Sequence, residues 1–594
     1  MKKPILFLIG VLIMGAALAV DPSSYYALTA PKHAILIVLA PLITVLILIQ
    51  AKHIRIGVLP VLIGIRIAWL GLSNPDWVSH PGNDSFYLHL SLLLIVIMVQ
   101  QLKKEEIAKL LFQTVFWVGL IQVVIGIWQV INFTPDPSTP MKTAFIGTLG
   151  TPNGLGILIV LTILAGVQLF YTARFLPKKF LYGIGVAFLL IGLVLSESRG
   201  AWIALLVSGS FVVLLFNVQA LKRMVGTGFK AFYLIGALVL LLGIVVITLY
   251  QVDTESSSGR WMIWDITTEM IKDKPITGIG QGQYSVEYLN YQAEYLSKPY
   301  NKELHAKAAN IKQAHNEFLQ AFTEGGIVGG LLFGSIWILP LLISIKKIFH
   351  QQDKTELDQV IVSGIVLAIV IHSLVDSPLH VLPVSVIGYV SLSMMDPVSK
   401  TFDLSRVSKW VFMVFGMCYL LFVSVRTLRI YPAQNSWRRG VELAEQREWK
   451  ASIYQYEKAM EKFRQKGALA YHLGSALIFD EQYSKGIYYL NQAKKDFNDK
   501  NIYLTESYAN IQLKKFKEGE RLAKKALAMF PSHLAPHLLL GEIYYEQGRI
   551  EESKASLLKC INEEISKKSW ETKQISVDAE KYWNNVFGQI PDSY

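Results

Sequence analysis

The sequence predicts an all-α polytopic membrane protein, with about 12–13 transmembrane helices followed by an α-helical repeat solenoid. Three observations predict it. Apolar runs near the roughly 20 residues that a spanning helix needs recur through residues 1–430. Composition shifts abruptly to charged and polar over 431–594. Small residues recur about every 34 positions in that last segment.

The expected spans are Ile5–Val20, Ala34–Gln50, Ile56–Leu72, Phe86–Gln101, Ala108–Ile131, Asn153–Tyr171, Phe180–Ser196, Gly200–Asn217, Ala231–Tyr250, Gly326–Ile345, Gln359–Leu374, Leu379–Met395 and Trp410–Val425. The first also fits a cleaved signal peptide, since Met1-Lys2-Lys3 precedes a short apolar stretch ending Ala17-Leu18-Ala19. Charged residues make up only 17% of the chain, against roughly a quarter in soluble proteins. The net charge of +12 is not a nucleic-acid footprint. Its basic residues cluster between spans, as at Lys52/Arg55, Lys103/Lys104, Lys178/Lys179, Lys222/Arg223 and Lys346/Lys347. Cytoplasmic loops retain such clusters. With the first span starting inside, the alternation places a large loop, 251–325, and the tail, 431–594, outside the cytoplasm. The Arg426/Arg429 pair before Tyr431-Pro432 argues mildly the other way. Two cysteines, Cys418 and Cys560, are too few and too far apart for a disulfide framework or a thiolate metal site.

In the tail, Gly440 and Gly474 are 34 residues apart, and Gly541 follows after 67 more, with Ala509 between. That period is the one of tetratricopeptide repeats, and about four are expected. Stacked helix pairs of this kind offer a face to a peptide or protein partner, or simply cap the loop above the membrane.

Charges at span edges are candidate functional groups. On the outer side these are Arg199 in Ser196-Glu-Ser-Arg-Gly-Ala-Trp, Arg260 in Ser258-Gly-Arg-Trp-Met-Ile-Trp, His315 in Gln313-Ala-His-Asn-Glu-Phe-Leu-Gln, and Asp376 between His372 and His380. Two guanidinium forks suit a diphosphate, and a histidine beside them suits proton transfer from a hydroxyl. The bland readings stand beside these. An arginine at a span edge also serves as a snorkelling anchor, and Asp376 as a helix cap. Glu197 could occupy Arg199, and Asn153 could line the site or only cap the following helix. Gly278/Gly280/Gly282 lacks the strand–helix context of a dinucleotide fingerprint and reads as a loop of tight turns.

Five segments resemble the family of O-antigen ligases, O-antigen polymerases and bacterial protein O-oligosaccharyltransferases. They are Gly147-Thr-Leu-Gly-Thr-Pro-Asn-Gly, Ser198-Arg-Gly-Ala, Gly259-Arg-Trp-Met-Ile-Trp, Pro275-Ile-Thr-Gly-Ile-Gly-Gln-Gly-Gln-Tyr and Ala314-His-Asn-Glu-Phe-Leu-Gln-Ala-Phe-Thr-Glu-Gly-Gly-Ile-Val-Gly, within roughly residues 140–395. The resemblance implies a membrane glycosyltransferase of type C-like architecture: inverting, metal-independent and without a cofactor. It would act on an undecaprenyl-diphosphate-linked glycan at the periplasmic face of a bacterial inner membrane. It also implies catalytic roles for Arg199, Arg260 and His315. Asn153, Asn316, Glu317 and Asp376 are the expected substrate-binding residues. The acceptor is a protein hydroxyl or the lipid A core, the repeats leaning towards protein. A polymerase, a transporter or flippase, and a non-catalytic scaffold remain as rival readings. Few charges lie within the spans, Arg66 being the clearest, which weighs against transport.

Overall fold

The computed structural model describes residues 2–79, 84–133, 144–216, 254–350, 356–396, 398–403, 406–463, 466–562 and 570–588. The expected span 231–250 and the Lys222/Arg223 cluster lie outside these residues. The first half runs α1 (Lys2–Leu18), α2 (Ala30–Gln50), β1 (His53–Gly57), α3 (Val58–Ser73), α4 (Pro75–Ser79), α5 (Asp84–Gln100), α6 (Lys104–Ile131), α7 (Pro152–Thr172), α8 (Leu176–Leu195) and α9 (Arg199–Phe216). Then come α10 (Thr254–Asp273), α11 (Tyr284–Ser297), α12 (Glu317–His350), α13 (Leu357–Ser373), α14 (Leu382–Met395), β2 (Val398–Asp403) and α15 (Arg406–Glu445). Among the described residues seven helices, α2, α6, α7, α8, α9, α12 and α15, are long and apolar enough to cross a membrane. Of six shorter apolar helices, five, α1, α3, α5, α13 and α14, accompany them, and the sixth, Gly467–Phe479, lies in the tail. The protein is an all-α polytopic membrane protein.

Helix α7 is the centre of the bundle. Every residue from Gly154 to Gly166 is buried, as expected of a helix apolar on all sides. Its one interior hydroxyl, Thr162 Oγ1, donates to Leu158 O at 2.8 Å. Helix α1 belongs to the same core, through Ile9, Leu12, Ile13, Ala16 and Ala17. The Ala17 carbonyl accepts from Gln122 Nε2 (2.9 Å) and Thr148 Oγ1 (2.7 Å). At the opposite end, β1 and β2 pair antiparallel. There Asp396 accepts from Leu59 N at 3.0 Å and Gln100 Nε2 at 2.7 Å, which satisfies an orphan donor of α3.

Helix α12 is broken at Gly326, which adopts φ 63°. A break inside an apolar helix frees backbone groups that lipid cannot satisfy. The 275–280 segment satisfies them: Ile327 N donates to Pro275 O at 2.8 Å, Ile279 N to Thr323 O at 2.9 Å, and Gly280 N to Glu324 O at 3.1 Å. A Cβ on Gly326 would lie 2.0 Å from Ile276 O, and one on Gly278 2.4 Å from Glu324 O. The two glycine-rich motifs are therefore the two halves of one contact.

The tail holds four helix pairs: the end of α15 with α16 (Trp449–Met460), α17 (Gly467–Phe479) with α18 (Tyr483–Ala493), α19 (Lys500–Gln512) with α20 (Phe516–Met529), and α21 (Ala535–Glu546) with α22 (Ile550–Asn562); α23 (Trp570–Phe587) follows. The small residues sit where the paired helices touch. Ser452 Oγ donates to Gly440 O at 2.8 Å, and Ser553 Oγ to Gly541 O at 2.7 Å. No linker separates tail from bundle, because α15 runs unbroken through the expected boundary at 430/431, with Pro432 inside it. Two further contacts hold the tail down. Tyr25 stacks on Trp437 with ring centroids 4.0 Å apart, and its hydroxyl lies 3.0 Å from His472 Nε2. Tyr288, Leu289 and Leu296 of α11 share a core with Leu522, Met529 and Phe530 of the tail.

Gly326→Ala should destabilise the protein by about 1–3 kcal/mol, the usual cost of a strained backbone site. Gly334→Ala, on the same helix with open space around it, should leave it unchanged. Thermal unfolding in detergent compares them. Burial lowers the His472 pKa to about 4. The unfolded chain thus binds this proton first, near pH 6.5, and tail stability should fall as pH drops from there towards 4. The pH dependence of tail melting should be flatter in His472→Gln.

Candidate functional site

The site forms where three chain turns meet at one end of the bundle. The first precedes α7. Thr151, not Asn153, caps this helix, its Oγ1 accepting from Gly154 N at 3.1 Å. Asn153 instead lines a cavity of about 210 Å³ together with Gln313, His315, His372 and Asp376. The second turn, 314–316, leads into α12. Ala314 is pinned by Trp264 Nε1, which donates to its carbonyl at 3.1 Å, and by Gln320 Oε1, which accepts from its N–H at 3.1 Å. Between these anchors and the helix, His315 takes a left-handed backbone, φ 49°, that points it out of the helical path. Asn316 is the helix cap, accepting from Phe318 N and Leu319 N at 3.0 Å each.

The third turn, 374–380, is clamped onto the second. Asn316 Nδ2 donates to Leu374 O at 3.0 Å, and Leu379 N donates to Glu317 Oε1 at 2.7 Å. This brings His315 Nδ1 within 3.0 Å of Asp376 Oδ1. Ser377 N donates to the same carboxylate oxygen at 2.8 Å. A carboxylate only accepts, so Nδ1 carries the hydrogen, and in the neutral ring Nε2 is left as the acceptor. Burial would push the Asp376 carboxyl up. The His315 hydrogen bond and the nearby His372, His315 and Arg260 charges outweigh it and hold Asp376 well below the usual carboxylate range. Asp376 stays anionic.

Of the two arginines, Arg260 lies one helical turn before Trp264, on the face of α10 turned towards Ala314 and His315. Its charge reaches Asp376. Arg199 opens α9 next to Gly200, where an added Cβ would touch His372 Nε2 at 3.3 Å and Val375 at 3.2 Å. Both arginines thus flank the 372–376 segment, and Arg199 is half-buried.

With this geometry in place, residues 184–334 match the family model described as O-antigen ligase, and residues 510–560 match one described as tetratricopeptide repeat. The first match spans 151 of the chain's 594 residues, and the second lies within the repeat tail. No curated protein matches it. The match supports a glycosyltransferase of the O-antigen ligase or polymerase type. Arg199, Arg260, His315, Asn316 and Glu317 fall inside the ligase match, whereas Asn153 and Asp376 lie outside it.

The expected residues divide by role. His315, Asp376 and Asn153 share the cavity; neither arginine lines it, but the Arg260 charge reaches Asp376 and Gly200, next to Arg199, packs against His372. Asn316 and Glu317 spend their hydrogen bonds on holding the 374–380 turn. Sequence reasoning missed Lys32, His33 and His380, which line the cavity from α2 and the third turn. His380 Nδ1 lies 3.4 Å from Glu317 Oε1, a second imidazole–carboxylate pair. Burial disfavours the His380 cation, but the Glu317 charge and hydrogen bond prevail and raise its pKa. It should therefore lose its proton above the free-imidazole value of about 6.5. In Glu317→Gln the His380 titration, followed by its ring NMR signals, should move to lower pH; an unmoved midpoint would remove Glu317 as the cause.

Proposed function

We propose that the protein transfers an oligosaccharide from a polyprenyl diphosphate, undecaprenyl diphosphate by resemblance, onto a hydroxyl acceptor outside the cytoplasm. The alternation of basic loops supports that side, in a bacterial inner membrane with the tail periplasmic. The observation that carries the reading is the 3.0 Å contact of His315 Nδ1 with Asp376, which leaves Nε2 directed to other work. Nε2 takes the proton of the acceptor hydroxyl as its oxygen attacks the anomeric carbon. The bond from that carbon to the diphosphate oxygen breaks, and the lipid diphosphate leaves. Attack opposite the leaving group inverts the anomeric centre. Charge grows on the departing diphosphate, where Arg260 and Arg199 provide guanidinium donors that stay protonated throughout. Asp376 fixes the ring and stabilises the imidazolium as it forms.

The reading is tested in membranes carrying wild type, His315→Ala, Asp376→Asn and Arg260→Ala at matched expression, probed for glycoprotein, lipopolysaccharide and polymer length. His315→Ala should lower transfer about 100-fold or more, the usual contribution of a positioned base. Asp376→Asn should lower it with the protein still folded, because a neutral amide no longer stabilises the imidazolium. The molecule that loses its sugar names the acceptor. Unchanged product in all three variants would sink the assignment and favour a scaffold or transporter.

A further inference from the structure

A second, larger cavity of about 530 Å³ adjoins the His315 cleft, in the size range of small-molecule sites. The two share Thr29, His33, His380 and Leu382 in their walls, so His380 stands at the boundary. Most of the larger chamber's wall lies outside the matched ligase segment, which contributes Gln281, Glu317 and Glu324. Arg66 reaches it from α3, His380 from the third turn, and Lys466 and Asp496 from the repeat tail. Gln281, Glu317 and Glu324 complete its polar wall.

Among the polar groups of that wall, Arg66 and Gln281 are orphaned, as is Gln434 Oε1. Arg66 is only 7% exposed, sits over the Phe333 ring at 5.3 Å, and its Nε has no hydrogen-bond partner. Gln281 is half-buried, but its Oε1 atom is shielded from solvent and likewise unpartnered. A charge placed in an apolar helix is expensive, and a buried donor without an acceptor adds about 1–3 kcal/mol. Arg66 is a donor and Gln281 an acceptor. A phosphate, which only accepts, answers Arg66 and not Gln281; an ammonium, which only donates, answers Gln281 and not Arg66. Hydroxyl groups answer both. The remaining walls have the same mixed character, since the carboxylates of Glu317, Glu324 and Asp496 accept while Lys466 donates.

We propose that this chamber binds the sugar end of a saccharide acceptor, and that the repeat tail, through Lys466 and Asp496, is part of the binding site rather than only a docking module. The proposal rests on the transferase reading, and it deepens that reading by assigning the acceptor its place. A hydroxyl-rich ligand held against Arg66 and Gln281 extends past His380 into the cleft where His315 Nε2 is available. Acceptor choice then depends on residues of the tail, which the ligase segment does not contain.

Saturation-transfer difference NMR tests this on the full chain in nanodiscs. The probes are oligosaccharides released by mild acid from the envelope of the source cells, a serine/threonine-rich peptide, and undecaprenyl diphosphate. Wild type and His315→Ala should both bind an oligosaccharide. Arg66→Gln, Gln281→Ala and Asp496→Ala should each bind it about ten-fold more weakly, or about 1.4 kcal/mol. If Arg66→Gln fails to fold, the two loop and tail variants decide. Absence of oligosaccharide binding to wild type, unaltered binding in the variants, or loss of peptide or undecaprenyl diphosphate binding in their place would each overturn the proposal. Transfer is measured on the same samples. Lost transfer in His315→Ala with unaltered binding in the chamber variants defeats the chamber alone. Unchanged product in His315→Ala, Asp376→Asn and Arg260→Ala together, with weakened binding in the chamber variants, defeats the transferase reading alone.

Discussion

The break in α12 is the constraint on which the functional end of the bundle depends. An apolar helix interrupted at Gly326 must have its freed backbone groups met by protein: Trp69 Nε1 of α3 donates to Gly325 O at 2.8 Å, and the 275–280 segment makes its bonds at 2.8–3.1 Å. That contact fixes where α10 and α11 sit. Trp264 on α10 then reaches the Ala314 carbonyl, and Arg260 one turn earlier is aligned with the same turn. Below the break, the first two turns of α12 carry Asn316, Glu317 and Gln320, each tied to a neighbouring turn. Loosening Gly326 would therefore displace both the arginine and the histidine, although neither touches it. A close approach of two backbones, rather than any ion pair, sets the geometry.

Electrostatics on this frame are organised as two imidazole–carboxylate pairs, His315–Asp376 and His380–Glu317, at 3.0 and 3.4 Å. Their carboxylates come from opposite partners. Asp376 lies on the third turn and serves a histidine of the second, whereas Glu317 follows the second turn and serves a histidine of the third. Each turn thus holds the other's ring, so the two turns are coupled beyond their backbone contacts. The pairs also face different spaces. His315 looks into the smaller cleft alone, and His380 borders both cavities. The His315 pair thus borders the smaller cleft, and the His380 pair stands where the two cavities meet.

Much of this was legible in the sequence, and what was not has definite physical causes. Apolar runs located the helices because burial and lipid both demand them, and the 34-residue period located the helix pairs because small residues must sit where paired helices touch. The pairing of His315 with Asp376 was hidden, since 61 residues separate them and hydropathy says nothing of which turns meet. The glycine motifs at 275–282 and 325–326 were visible as motifs, but not as partners. Asn153 and Thr151 compete for one helix cap, and only backbone geometry showed that Thr151 holds it. Arg66 stood out as an intramembrane charge; that its wall partner is Gln281, more than two hundred residues on, did not.

The composition boundary near residue 430 is spanned by continuous helix and packing. Helix α15 crosses the boundary without a break, so the tail's first pair inherits the orientation of a bundle helix. Tyr25 stacks on Trp437 from the α1–α2 turn, the very turn that continues into Lys32 and His33 at the cleft. Gln292 Nε2 donates to Met529 O, and Asn498 Nδ2 to Val286 O, which fixes α11 to the repeats on a third side. A tail held at three separate points has little freedom to swing. Its side chains at Gln434, Lys466 and Asp496 are therefore as fixed in the chamber wall as those of the bundle itself. A composition change marks what each segment is dissolved in, and not where the molecule can bend.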